Sequence, residues 1–191
     1  PQARQAPQII AVWGPQGAPG RSSIAVQLAV ELSRSGRRTA LVDADTVAPS
    51  LALLLGLSDD APGIAAACRR AELGGLDARE LTRLASSVET SGGDLDVLPG
   101  INRPTRWPEL SASRLTAALQ ACRVWADETV VDVNSAFDAD DEATYDMAGP
   151  RRHAATTASL READAIIAVA AADPVGISRF LRDHAELRRL A

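Results

Sequence analysis

Apolar residues along the chain fall alternately into short unbroken runs and into longer stretches spaced three or four apart, an alternation that predicts strands and helices in turn. Residues 9–13, IIAVW, read as a buried strand, Arg21 to Ser35 as a helix closed by Gly36, and 38–45, RTALVDAD, as a second strand. PSLALLLGL at 49–57 opens on a helix-starting proline, while GIAAACRRAEL at 63–73 and DARELTRLASSVE at 77–89 read as two further short helices. DLDVLPG, ending at Gly100, is a third strand. A Ser-capped helix follows at 111–126, with Leu115, Ala118, Leu119 and Cys122 on one face. ETVVDV supplies a fourth strand ending on Asp132, and an acidic loop then runs to about Arg152. Ala154 to Ala163 reads as helix, DAIIAVAA as a fifth strand and the stretch from Pro174 as a closing helix.

Such alternation predicts an α/β fold of three layers, a mostly parallel sheet with helices on both faces, and places ligands at the carboxyl ends of the strands. The apolar fraction of 46% against 3% aromatics means a core of Ala, Leu, Val and Ile. A length of 191 residues suits one domain. The first eight residues, PQARQAPQ, hold two prolines and no periodicity, which predicts a flexible tail over 1–8 and a single domain over 9–191. A net charge of −5 argues against a nucleic-acid partner. With no signal-peptide pattern and no long apolar run, the sequence encodes no membrane contact, and the expected compartment is the cytoplasm. Cys68 and Cys122 have no CxxC partner and read as buried apolar residues in a reducing environment.

The chemistry concentrates at three strand ends. VWGPQGAPGRSS, Val12 to Ser23, carries Gly14, Gly17 and Gly20 between a strand and a helix, where a chain turns sharply and aims N–H groups at an anion. Asp43 and Asp45 follow the second strand and Asp132 the fourth. A nucleoside triphosphate with Mg²⁺ needs backbone donors, a hydroxyl on the metal and carboxylates around it. Ser22 fits the metal hydroxyl, and Ser23 with the segment Gly17, Ala18, Pro19, Gly20 and Arg21 the phosphate cradle. Asp132 fits an anchor behind the metal. The Walker pattern G-x-x-x-x-G-K-[ST], aligned on Gly20, meets Pro15 and Arg21, and Pro19 removes one N–H from the cradle. All 20 basic residues are Arg, so a bias across the chain accounts for a guanidinium at position 21. Two plainer readings stay open: a loop that kept its shape and lost its ligand, and Asp43 and Asp45 as strand-end residues, one capping a turn and one solvated.

The order and spacing of these motifs resemble the ParA/MinD family of deviant Walker A ATPases, whose loop reads K-G-G-x-G-K-[ST]-[ST]. QGAPGRSS (Gln16 to Ser23) occupies the loop, DAD the D-x-D strand end and TVVDV the Walker B strand. DADTVAPSLALLLGL, GLDARELTRLASSV and LDVLPGINRP are most similar to the CpaE/TadZ branch, which positions pilus-assembly machinery. The resemblance implies ATP and Mg²⁺ as cofactors, Asp45 as the water-orienting carboxylate, Asp43 as its partner near the metal, and Arg21 on the β- and γ-phosphates. It also implies a homodimer and protein partners of a positioning or pilus-assembly system. Gln16 falls where the family's lysine reaches the partner subunit's nucleotide, and a neutral amide supplies no such charge, so slow hydrolysis or none is expected. The rival is a non-catalytic dimerising scaffold, favoured by Gln16, Pro19 and Arg21. A nucleotide-dependent amidase or synthetase lacks a substrate motif or catalytic cysteine. The family continues with a strand that contacts adenine, which implies a domain truncated at its C-terminus.

The remaining polar groups read as plain structure. Asp138, Asp140, Asp141 and Glu142 are expected to be a solvated loop, His153 and His184 surface residues, and Trp107 packing under the loop after the third strand. Asp173 to Arg179, DPVGISR, lies either near the nucleotide or simply at a helix start.

Overall fold

The computed structural model describes residues 6–58, 60–137 and 151–190. Strands β1 (Gln8–Trp13), β2 (Thr39–Asp43), β3 (Ser86–Thr90), β4 (Gly93–Leu98), β5 (Glu128–Asp132) and β6 (Ala165–Ala168) form one sheet in the order β3-β4-β2-β5-β1-β6. Every pairing is parallel except β3 with β4. Helices α1 (Arg21–Arg34), α2 (Leu51–Leu54), α3 (Gly63–Glu72), α4 (Ala78–Leu84), α5 (Ala112–Trp125), α6 (Ala154–Glu162) and α7 (Pro174–Leu190) make the connections.

The period of two along each central strand sends alternate residues to opposite layers. Ile9, Ala11, Trp13, Ala40, Val42, Leu98 and Val131 face a layer built from α3, α4, α5 and α6, with Ile64, Leu81, Leu115, Leu119 and Leu160 at its heart. Val12, Leu41, Leu95, Val97 and Val130 face the other side, where α1 contributes Ala25 and Ala29 and α2 contributes Leu51. Both faces of β2 and β5 are covered, which is why those segments read as unbroken apolar runs. Small alanines on α1 and α3 let the helices approach the sheet closely in a core with few aromatic rings.

Three expectations from the sequence need correction. The segment 77–89 is not one helix: α4 stops at Leu84 and Ser86–Thr90 is β3, an antiparallel edge strand paired with β4 across a tight turn at Ser91 and Gly92. Its side chains alternate between half-buried and exposed, so no apolar run betrays it. The helix expected over 49–57 shrinks to Leu51–Leu54, and Trp107 lies half-buried in a 3₁₀ helix, Pro104–Leu110, against the core. His153 is half-buried at the start of α6 and not on the surface; its Nδ1 is sealed from solvent with no hydrogen-bond partner among the described residues. The acidic group Asp138, Asp140, Asp141 and Glu142 and the first five residues lie outside the described residues.

At the end of the sheet remote from the glycine loop, Arg123 of α5 gathers several segments. Its Nη1 donates to the Asp164 carboxylate at 2.7 Å and to the Pro7 carbonyl at 3.3 Å, and its Nη2 donates to the Glu162 carbonyl at 2.8 Å. The same Asp164 carboxylate accepts the Ile9 N–H at 2.7 Å.

Candidate functional site

The loop after β1 turns at Pro15, whose carbonyl accepts the Ala18 N–H at 3.0 Å. Gly17 and Gly20 adopt left-handed backbone, φ +81° and +87°, which only glycine takes without strain. Gly20 is the N-cap of α1 and supplies no side chain to satisfy the helix's first donors. The N–H groups of Gly17, Gly20, Arg21, Ser22 and Ser23 therefore have no backbone acceptor among the described residues. They form a concentrated set of orphaned donors at a positive helix end, which suits an anion such as phosphate. Pro19 subtracts one donor from that set without closing it. Gly14 permits close approach of the next connection, since a Cβ there would lie 2.3 Å from the Val169 carbonyl oxygen. The Arg21 guanidinium folds back on the loop and donates to the Gly14 carbonyl at 3.2 Å.

Parallel register sets the carboxylates at one level. Asp132 stands opposite Val12 on one side and Asp43 on the other, so the last residues of β5 and β2 emerge beside the loop. The Ser22 side chain, in the first turn of α1, lies beside the Asp132 carboxylate and favours its charged form. Burial pushes the Asp132 carboxyl up to about 6, the nearby Ser22 hydroxyl opposes that, the negative Asp45 adds to it and the Arg21 charge again opposes. Asp43 is fully buried. Its Oδ1 accepts the Asp45 N–H at 3.1 Å, and its Oδ2 accepts the N–H groups of Ser50 and Leu51 at 2.9 and 3.0 Å. Burial raises its carboxyl to about 7 in spite of the Leu51 N–H, with the nearby Asp132 charge adding to the rise.

Asp45 continues past β2 into a tight turn. Its Oδ1 accepts the N–H groups of Val47 and Ala48 at 2.8 and 2.9 Å and the Asn134 Nδ2 at 3.0 Å, while Oδ2 takes no hydrogen bond among the described residues. Asn134 in turn accepts the Ala136 N–H at 3.0 Å, and the Trp13 indole donates to the Ser135 carbonyl at 3.0 Å. Asn134 is the participant sequence reasoning missed. An asparagine two residues beyond a strand-end aspartate is the available signal, since a polar side chain buried there requires hydrogen-bond partners.

The structure thus brings together Gly17, Gly20, Arg21, Ser22, Ser23, Asp45 and Asp132, and turns Asp43 toward the backbone of its own loop. Gln16, Ala18 and Pro19 form the outer limb of the bend. The family model described as ParA, NUBPL iron-transfer P-loop NTPase, matches residues 5–75. A ParA family ATPase from Chlorobium tepidum superposes with a TM-score of 0.74 at 18% identity, covering 94% of this chain and 67% of that one. The septum site-determining protein MinD from Pyrococcus horikoshii, complexed with Mg-ADP, gives 0.66 at 17% identity over 95% of this chain and 65% of that one. The fold is that of the ParA/MinD-type P-loop NTPases. An iron-sulfur cluster carrier protein from Haemophilus influenzae is 39% identical over 62 residues, 32% of this chain, and that stretch is only 17% of the relative's own length. In this ParA/MinD fold both cysteines are buried, and burial pushes each thiol up to about 12. No helix among the described residues is long and apolar enough to cross a membrane.

Proposed function

We propose that this chain is a ParA/MinD-like ATP-binding protein of the CpaE/TadZ type, with weak or absent hydrolysis, that dimerises with nucleotide to position a cellular assembly in the cytoplasm. Residues 9–191 act as the nucleotide-binding domain. The observation that carries the reading is the set of five loop N–H groups without a backbone acceptor at the start of α1, with the Ser22 side chain beside the buried Asp132 carboxylate. A hydroxyl beside a buried carboxylate at a helix start suits a hydrated Mg²⁺, and the open donors suit the β-phosphate. Mg²⁺ would offset phosphate charge; Ser22 would hold it, with Asp132 behind. Arg21 would leave the Gly14 carbonyl for the phosphates. Asp45 would orient water through its open Oδ2. Asp43 would act at one remove, fixing the turn that presents Asp45.

Slow turnover is expected from Gln16, which has no charge to offer a second nucleotide. A non-catalytic scaffold is the rival reading, supported by Gln16 and Pro19. Iron-sulfur transfer, which the relatives' names suggest, finds no exposed thiol in this chain. Calorimetric titration with Mg-ATP and Mg-ADP, alongside light scattering with and without nucleotide, separates the readings. Binding lost in Arg21→Ala and mass doubling with ATP support the proposal; a wild-type chain that binds neither nucleotide leaves the scaffold.

A further inference from the structure

The helix that closes the chain brings a second guanidinium to the glycine loop. The Arg179 Nη1 donates to the Gln16 carbonyl at 3.1 Å, across 163 residues of sequence. It lies so close to the next residue that a Cβ on Gly17 would sit 2.6 Å from the same nitrogen. Gly17 is thus required twice, for its φ of +81° and for the room Arg179 occupies. Arg179 is exposed and has no ion-pair partner among the described residues, unlike Arg106, Arg114 and Arg123, which are paired.

The launch of α7 makes this placement specific. Asp173 Oδ1 accepts the Gly176 N–H at 2.8 Å and its carbonyl accepts the Ile177 N–H at 2.9 Å, fixing the first turn. Gly176 packs so tightly on the preceding bend that a Cβ there would lie 2.4 Å from the Ala171 carbonyl oxygen. With the start pinned at Asp173 and Gly176, the second turn delivers Arg179 to the outer limb of the loop. Arg21 and Arg179 therefore both reach the loop that carries the orphaned N–H groups, each parked on one of its carbonyls, Gly14 for one and Gln16 for the other. A carbonyl carries only a partial charge, so an anion in the loop would compete for both guanidinium groups.

We propose that Arg179 is a phosphate-binding residue supplied by the chain's own C-terminal helix, reaching the terminal phosphate of a nucleoside triphosphate in the glycine loop. The inference rests on the nucleotide reading above and adds a residue to it. Position sets the preference. The helix end at Arg21 to Ser23 holds the inner phosphate, and Gln16 and Gly17, where Arg179 docks, border the outer one. The cation therefore discriminates the triphosphate from the diphosphate. It also provides within one subunit a positive charge that Gln16 does not.

The test is calorimetric titration of the full chain, wild type, Arg179→Ala and Arg179→Lys, with Mg-ATP and Mg-ADP. Losing a charge-assisted contact to the terminal phosphate should weaken ATP by about tenfold or more in Arg179→Ala while ADP changes by less than about threefold, with Arg179→Lys between. Because both nucleotides report on the same folded molecules, their ratio is unaffected by any loss of stability. Wild-type binding of both nucleotides with an ATP to ADP ratio that Arg179→Ala leaves unchanged would overturn the role of Arg179 alone. A wild-type chain with no affinity for either overturns the nucleotide reading and Arg179's role with it.

Discussion

Asp43 and Asp132 are register partners on the adjacent strands β2 and β5, and both hold their protons more tightly than free carboxyls do. Burial is the leading cause at each, and Asp132 also raises Asp43 through its own charge. Two acids at neighbouring strand ends are thus held in a state that a cation or a proton relieves.

Stability should follow. In the unfolded chain these groups ionise near the ordinary 3.8, in the folded chain near about 6 and about 7, so the folded state binds more protons across that window. Stability therefore falls as pH rises from about 4 to about 7 and is lowest above it. Scanning calorimetry without nucleotide should show a melting point several degrees higher at about pH 5 than at about pH 8. Asp132→Asn should flatten the slope and raise the value at the higher pH.

On the proposed reading Ser22 holds Mg²⁺, and Ser22→Ala removes that hydroxyl without disturbing the loop backbone. Affinity for ATP in the presence of Mg²⁺ is expected to drop about tenfold, whereas affinity in excess chelator stays where it was. Equal losses under both conditions would count against a metal role for this hydroxyl.

Asn134→Ala takes away one of the three donors on Asp45 Oδ1. Chemical denaturation should register about 1–2 kcal/mol of lost stability. Any hydrolysis, followed by phosphate release, should slow further while ATP affinity holds, because Asn134 steadies the carboxylate and touches no phosphate.

Gly63 has φ +52°, and a Cβ there would lie 2.1 Å from the Pro99 carbonyl oxygen, the acceptor of the Ile64 N–H at 2.9 Å. Gly63→Ala should cost about 2–4 kcal/mol, read from urea unfolding, by displacing the start of α3 from the end of β4.

The two thiols should resist chemistry while the chain is folded. A thiol-reactive dye is expected to react with neither Cys68 nor Cys122 until denaturant is added, and anaerobic incubation with iron and sulfide should leave no cluster on the native chain.

What the sequence made legible follows from burial. β1, β2 and β5 are central strands with inward side chains on both faces, so their residues are apolar in a row and their ends fall on the glycine loop, Asp43 and Asp132. β3 escaped because Ser86 to Thr90 is an edge strand of alternately half-buried and exposed, mostly polar residues that continues a helical spacing from α4; only its partner β4, across the turn, makes it a strand. The bend could be read from Gly17 and Gly20 because a strand, a turn and a helix start are local in the chain. Arg179 could not, since no local pattern reports which carbonyl a helix arginine meets 163 residues away. Asn134 fell between these cases: its position was visible, but its grip on Asp45 depends on β2 and β5 being neighbours.

Arg123 has a mechanical consequence. One guanidinium grips the residue before β1, the end of α6 and the carboxylate that also holds Ile9. Tension applied ahead of β1 is therefore shared at once with α5 and β6, and withdrawing that strand means shearing its ladders to β5 and β6 while tearing a multidentate clamp. The glycine loop lies at the far end of the same strand, so a tug at one end of the sheet is absorbed before it reaches the other.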